Sequence, residues 1–199
     1  MDRLWELYEY QPSFILAFHG CDKTLGEAVL RGKESGLHWS EKEYDWLGHG
    51  IYFWEGNPSR AFNWAEERKK SKIIKTPFVL GAILDLKHCL DLFDSDGLQQ
   101  VSDAYSTLKQ AFEASNTPIL KNVGATPDKA GRRLDCAVIN ALHQYRKNQE
   151  FLSYDSVRGP FLEGPELYEG AGFRRNSHIQ ICVRNESCIK GYFRPIFAK

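Results

Sequence analysis

Two short stretches carry the residue types from which a ligand site could be built. Phe18-His19-Gly20 closes an apolar run, and Gly48-His49-Gly50-Ile51-Tyr52-Phe53 follows about thirty residues later. An imidazole can donate to a hydroxyl, and a glycine beside it lets a ligand lie against bare backbone N–H and C=O groups. A peptide donor–acceptor pair is what a carboxamide requires. Tyr52, just beyond Gly48 and Gly50, offers a flat face for a second aromatic ring. Asn57-Pro58 supplies an N-cap and a first-turn proline, so the free N–H groups of a helix start could face a phosphate. Carboxamide ring, ribose hydroxyl and pyrophosphate together describe NAD. Each piece alone has a plainer reading. A His-Gly pair is usually a turn, glycines are usually turn residues, and Ile51-Tyr52-Phe53 is usually core. Their joint order and spacing is what points to a site.

The elements that must position these residues follow from the pattern. Ser13 to Ala17 reads as a buried strand ending at a turn at Phe18-His19-Gly20. Thr24-Leu25-Gly26-Glu27 has capping-box spacing, and Gly32 or Gly36 could stop the helix it opens. Residues 37–46 read as a loop. Gly50 to Trp54 is a brief aromatic strand, and a helix runs from Pro58 to about Lys70 with Ala61, Trp64, Ala65 and Arg68 on one face. Phe78 to Leu86 is a strand. Asp96 opens one helix, and Leu134 to Tyr145 form the apolar stripe of another. Tyr154 to Leu162 reads as a strand broken by Gly159-Pro160, and His178 to Val183 and Ile189 to Phe193 as two late strands. Strand runs mixed with helices, without strict βαβ alternation, predict an α+β fold. No repeat or linker divides the chain, so a single domain over residues 1–199 is expected.

Bulk composition removes several function classes. Hydrophobic content of 42% and charged content of 26% are ordinary for a globular domain. Lys plus Arg equals Asp plus Glu at 26 each, so the overall basic footprint of many nucleic-acid binders is missing. Five cysteines without CxxC spacing predict reduced thiols. No signal peptide opens the chain and no apolar run could cross a bilayer, so a cytoplasmic protein without membrane contact is expected. Gly48-His49-Gly50 begins like a dinucleotide fingerprint, but Phe53 stands where the third glycine belongs. No second pair completes a metal site around His19 and Cys21 or His88 and Cys89. Cys136 and His143 on one helix read better as core residues than as a nucleophile and its base.

Phe18-His19-Gly20 followed by Gly48-His49-Gly50-Ile51-Tyr52-Phe53 resembles the histidine–tyrosine half of the ADP-ribosyltransferase superfamily, in its poly(ADP-ribose) polymerase and diphtheria-toxin branch. Tyr154 to Phe161 and Phe173 to Val183 are similar to small bacterial domains of that branch. The resemblance covers Phe18 to about Trp64 and Tyr154 to about Pro195; the middle, about 87–153, would be a helical insertion. It implies a split β-sheet core with peripheral helices, and NAD as co-substrate. On that resemblance the Gly20 backbone would hold the nicotinamide carboxamide, His19 would bond a ribose hydroxyl, and Tyr52 would stack on nicotinamide. Gly50 lies in the same motif, Phe62 would complete the aromatic sandwich, and Arg60 would assist at the pyrophosphate. Transferases of this group place a glutamate on a late strand; here the aligned position is Gln180, or His178 if the gap slips, and neither is an acid. Gln180 can bond a ribose hydroxyl but supplies no negative charge. Glu163, ahead of Glu166 and Glu169, could fold over the site as the acid.

The expected activity is mono-ADP-ribosylation of a protein or nucleic-acid acceptor by a toxin or phage-defence effector, with an antitoxin as a possible partner. The alternative is a catalytically weak or inactive module that binds NAD or ADP-ribose. An NAD-dependent RNA phosphotransferase ranks third, because Arg132-Arg133 and Arg174-Arg175 lack a clear partner histidine. The basic run Arg68 to Lys72 reads as a solvated helix end.

Overall fold

The computed structural model describes residues 14–124 and 131–196, in an α+β arrangement. β1 (Ile15–Asp22) and β3 (Pro77–Leu84) are apolar runs that pair antiparallel along their whole length, from Ile15↔Leu84 to Asp22↔Pro77. That full-length partner corrects one expectation. His19-Gly20 is not a turn but lies within β1, because β3 keeps the backbone extended through it. Asp22, at the strand's end, caps α1 (Lys23–Leu30) by accepting from Thr24 N, two residues before the capping box expected at Thr24. β2 (Ile51–Glu55) pairs antiparallel with β6 (His178–Val183), and β6 with β5 (Ser156–Phe161). The short β4 (Cys89–Asp91) joins β5 in parallel, and β7 (Ile189–Phe193) pairs with β3. The resulting order is β4-β5-β6-β2-β1-β3-β7.

The sheet is nearly parted in the middle. β1 and β2 register at Ala17↔Glu55 and Phe18↔Trp54, after which the two strands diverge while each keeps its outer partner. Four strands lie on one side of this seam and three on the other.

β5 runs unbroken through Gly159-Pro160, contrary to the sequence reading. Gly159 pairs with Gln180 and Pro160 with Ile179, so the ladder to β6 is intact. Pro160 is tolerated because β4 ends opposite Arg158. Alternation from Arg158, whose carbonyl accepts from Leu92 N, aims the missing N–H at that open edge.

Helices cover both faces. On one face α1 packs over Ala17, Phe53, Leu80, Ile181 and Val183. On the other, α2 (Pro58–Lys70) covers Phe18, Trp54 and Val79 through Ala61 and Trp64. There α4 (Arg133–Asn148) packs Ile139 and Leu142 against Leu47, Leu90, Val157 and Cys182. α3 (Ser95–Ala114), capped by Asp94 rather than opened by Asp96, adjoins α4. The stretch 87–153 therefore contributes the edge strand β4 as well as two helices. Among the described residues no helix is long and apolar enough to cross a membrane.

α2 approaches β1 closely enough to need a glycine. A Cβ on Gly20 would stand 2.2 Å from the Ala61 carbonyl oxygen, a backbone atom that cannot swing aside. Gly20→Ala should therefore destabilise the fold by about 1–3 kcal/mol through overpacking. A lowered urea midpoint checks this; an unchanged midpoint would show that α2 does not pack so near.

Candidate functional site

The divergence of β1 from β2 decides what is left available. Gly56 N donates to Leu16 O across the seam, so Leu16, Phe18 and, by alternation, Gly20 turn their peptide groups toward β2. Phe18 still finds Trp54 there. Gly20 lies beyond the last pair, where Tyr52 would have been its partner. The Tyr52 carbonyl, freed in the same way, is taken by the imidazole of His19: Nδ1 lies 2.7 Å from it. Since the partner is a carbonyl oxygen, Nδ1 carries the proton and donates. Burial lowers the His19 pKa, holding the ring neutral and leaving Nε2 with a lone pair. His19 would thus accept from a hydroxyl, the reverse of the donor role read from sequence.

Beside this seam lies a cavity of about 550 Å³, a size suited to a small organic ligand. His19, Tyr52, Arg60, Glu163, His178 and Gln180 all line it. The fold therefore gathers around one cavity residues that lie up to about 160 positions apart in sequence. The Tyr52 phenol is fixed from below, donating to Gly48 O at 2.7 Å and accepting from Leu47 N at 2.9 Å. Burial pushes its pKa well above the ordinary tyrosine value, so it stays protonated. Gly48, with φ of +79°, makes the turn that brings both partners under the hydroxyl.

A belt of rings runs along the cavity. Trp46 lies 5.0 Å from Phe161, Phe161 5.5 Å from His178, His178 6.2 Å from Trp54, and Trp54 5.8 Å from Trp64, centroid to centroid. Trp39, Trp46, Trp54 and Trp64 all line the cavity, four of the five tryptophans in the chain. That concentration of a scarce residue was a signal in the sequence that the motif reading passed over.

Several expected contacts fall elsewhere. Phe62 points outward, 43% exposed, and Trp64 is the α2 aromatic on the cavity. Gly50 serves the scaffold: its N–H and C=O bridge Ser40, and a Cβ there would meet Cys182 Sγ and Val183 O at 2.5 Å. The bareness of Gly20 makes room for α2; the residue is buried and is not among those lining the cavity. The cavity runs along the flank of α2, at Arg60, Trp64, Glu67 and Arg68, rather than at the helix start. Asn57 caps that start by accepting from Arg60 N.

The polar groups at the far end are unevenly satisfied. Gln180 Oε1 accepts from Trp46 Nε1 at 2.6 Å. Glu163 reaches in from the loop after β5, its side chain 22% exposed, and accepts from Arg60 Nη2 at 2.7 Å. Arg60 also lies 3.7 Å from Glu67, so it is a shared cation rather than a free one. His178 Nδ1 donates to Asn176 O at 2.7 Å, and burial lowers its pKa. His178 Nε2, Trp54 Nε1 and Arg60 Nε are all buried without a hydrogen-bond partner. One acceptor and two donors left unpaired beside one cavity suit a ligand rich in hydroxyl and carbonyl groups.

The buried histidines make stability depend on pH. His143, on α4, is pushed down to about 3 by burial and then by Arg184 and Arg146; His19 and His178 are also lowered. Each stays neutral in the fold while its unfolded counterpart takes up a proton near ~6.5. The unfolded state then binds more protons, so stability is full above about pH 6.5 and is lost as pH falls toward the folded pKa values. The loss is at most about 1.4 kcal/mol per pH unit for each histidine. Urea midpoints should fall between about pH 7.5 and about pH 5, and His143→Gln should flatten that slope. A pH-independent midpoint would contradict the assignment.

No protein-family model matches the chain, and no solved structure matches it. Among curated proteins it is similar to an uncharacterized protein of Methanocaldococcus jannaschii. The two are 23% identical over 189 residues, which cover 87% of this chain and 83% of the relative.

Proposed function

We propose that the protein is an NAD-dependent mono-ADP-ribosyltransferase, a cytoplasmic effector of the toxin or phage-defence kind that modifies a macromolecular acceptor. The observation that carries this is the parted seam. It leaves Gly20 without a β2 partner, directs His19 Nδ1 to the freed Tyr52 carbonyl, and lays His19 and Tyr52 on one cavity. A peptide edge without a strand partner would suit a carboxamide, an imidazole lone pair suits a ribose hydroxyl, and the phenol ring suits a nicotinamide face. Trp64 replaces Phe62 as the second ring, with the Arg68 guanidinium 5.0 Å from its centroid.

The acid is Glu163 on this reading. It is a carboxylate on the cavity wall, and Arg60 holds it there. A fixed negative charge next to the ribose favours the positive charge that develops as the bond to nicotinamide stretches. Gln180, its oxygen engaged by Trp46, can only orient the sugar through its amide N–H groups.

Incubation with NAD labelled in its adenosine half, together with cell extract, should release nicotinamide and label a macromolecule. Glu163→Gln should slow nicotinamide release about 100- to 1000-fold. Tyr52→Ala should abolish calorimetric NAD binding. Wild-type protein that is folded yet neither binds NAD nor releases nicotinamide would sink the proposal. A second reading, an NAD or ADP-ribose binding module, is favoured by the amide at position 180. It predicts calorimetric binding with no turnover and no effect of Glu163→Gln on release.

A further inference from the structure

Behind Trp39 lies a second cavity of about 420 Å³. Trp39 lines both cavities and is 39% exposed, so it is shared between them and reaches solvent. Arg184 enters the second cavity from just past the end of β6, four residues beyond Gln180, or about 13 Å along an extended chain. Its Nη1 donates to His49 O at 2.8 Å, and its guanidinium lies 5.8 Å from the centroid of Trp39. Arg184 is half-buried, yet among the described residues no carboxylate forms an ion pair with it. Withdrawing a cation from water without an anion beside it costs free energy that a ligand could return.

α4 brings two more groups to the same place. His143 and Lys147 are one helical turn apart and both line the cavity. His143 Nε2 is buried without a hydrogen-bond partner, and Lys147 is exposed with no ion pair among the described residues. Acids stand nearby as well. Asp155 is held by Asn185 Nδ2 at 2.6 Å and by His88 N at 3.2 Å, and Glu186 lies exposed on the rim. Two cations and two carboxylates thus line the cavity; both Asp155 oxygens already accept from neutral donors, whereas the half-buried Arg184 guanidinium has no anion beside it among the described residues.

We propose that this cavity holds a backbone phosphate of the acceptor, and that the acceptor is a single-stranded nucleic acid with one base laid on Trp39. A guanidinium fork matches phosphate oxygens, and a cation next to an exposed aromatic ring is the arrangement that tracks a single strand. The strand would pass from the Arg184 cavity over Trp39 to the mouth of the seam cavity. The word acceptor rests on the transferase reading; the binding does not, and needs no NAD.

Fluorescence anisotropy with labelled single-stranded RNA and DNA oligonucleotides at low salt tests the proposal, with AMP as competitor and calorimetric NAD binding on the same preparation. Binding of a strand should weaken as salt rises, and Lys147→Gln or Arg184→Gln should each reduce the log–log salt slope by about 0.7. Trp39→Ala should weaken binding at least about fivefold. Lys147→Gln keeps the test open if loss of the His49 contact unfolds the Arg184 variant. Protein that binds NAD but no strand, affinity unchanged in folded variants, AMP competing as tightly as the strand, or NAD label passing only to protein would each overturn it. Strand binding that responds to these variants in protein that does not bind NAD would instead leave the phosphate site standing and remove the transferase reading.

Discussion

The separation of β1 from β2 after Phe18 and Trp54 is the constraint on which the rest of the site depends. A continuous sheet would pair Gly20 with Tyr52 and bury both peptide groups in a ladder. Here each strand has a complete outer partner, β3 for β1 and β6 for β2, so the two halves stand without the inner pairs. The freed groups must still be satisfied or face solvent. His19 satisfies the Tyr52 carbonyl, and that one bond fixes the tautomer, the ring and the direction of the remaining lone pair. Gly20, without a partner on β2, is buried beneath α2.

Packing then shapes the opening. Ala61 and Ala65 let α2 settle on β1, and Gly20 lets it come closer still. The same helix turns Arg60, Trp64 and Arg68 toward the cavity, because residues one and two turns apart share a face. The aromatic belt along the cavity combines apolar surface with indole and imidazole nitrogens, two of them buried without partners at Trp54 and His178. A wall of this kind favours a flat, partly polar ligand over either a purely apolar one or a simple ion.

What the sequence disclosed was what local rules control. Asn57 and Pro58 define α2 without help from distant residues, and its limits fall where the capping pattern places them. β6 and β7 also fall where expected, as short apolar runs bounded by turns. His19 and Tyr52 were picked out from two separate motifs, 33 positions apart, and both line the cavity. The rest depended on contacts between remote segments. Glu163 meets Arg60 across 103 positions, and Trp46 meets Gln180 across 134, which no periodicity reports. Gly20 read as a ligand contact, yet its missing side chain is explained by Ala61. Gly159-Pro160 read as a break because the open edge beside Pro160 is a fact of topology. Phe62 and Trp64 are two residues apart on one helix, and only packing decides which of them faces inward.

The most direct measurement is a crystal structure of the protein soaked with NAD or a hydrolysis-resistant analogue. The account predicts the carboxamide against the Gly20 peptide edge, the attached ring over Tyr52, and a ribose hydroxyl donating to His19 Nε2. A dinucleotide bound elsewhere, or a seam that stays filled by the protein's own side chains at saturating ligand, would contradict it.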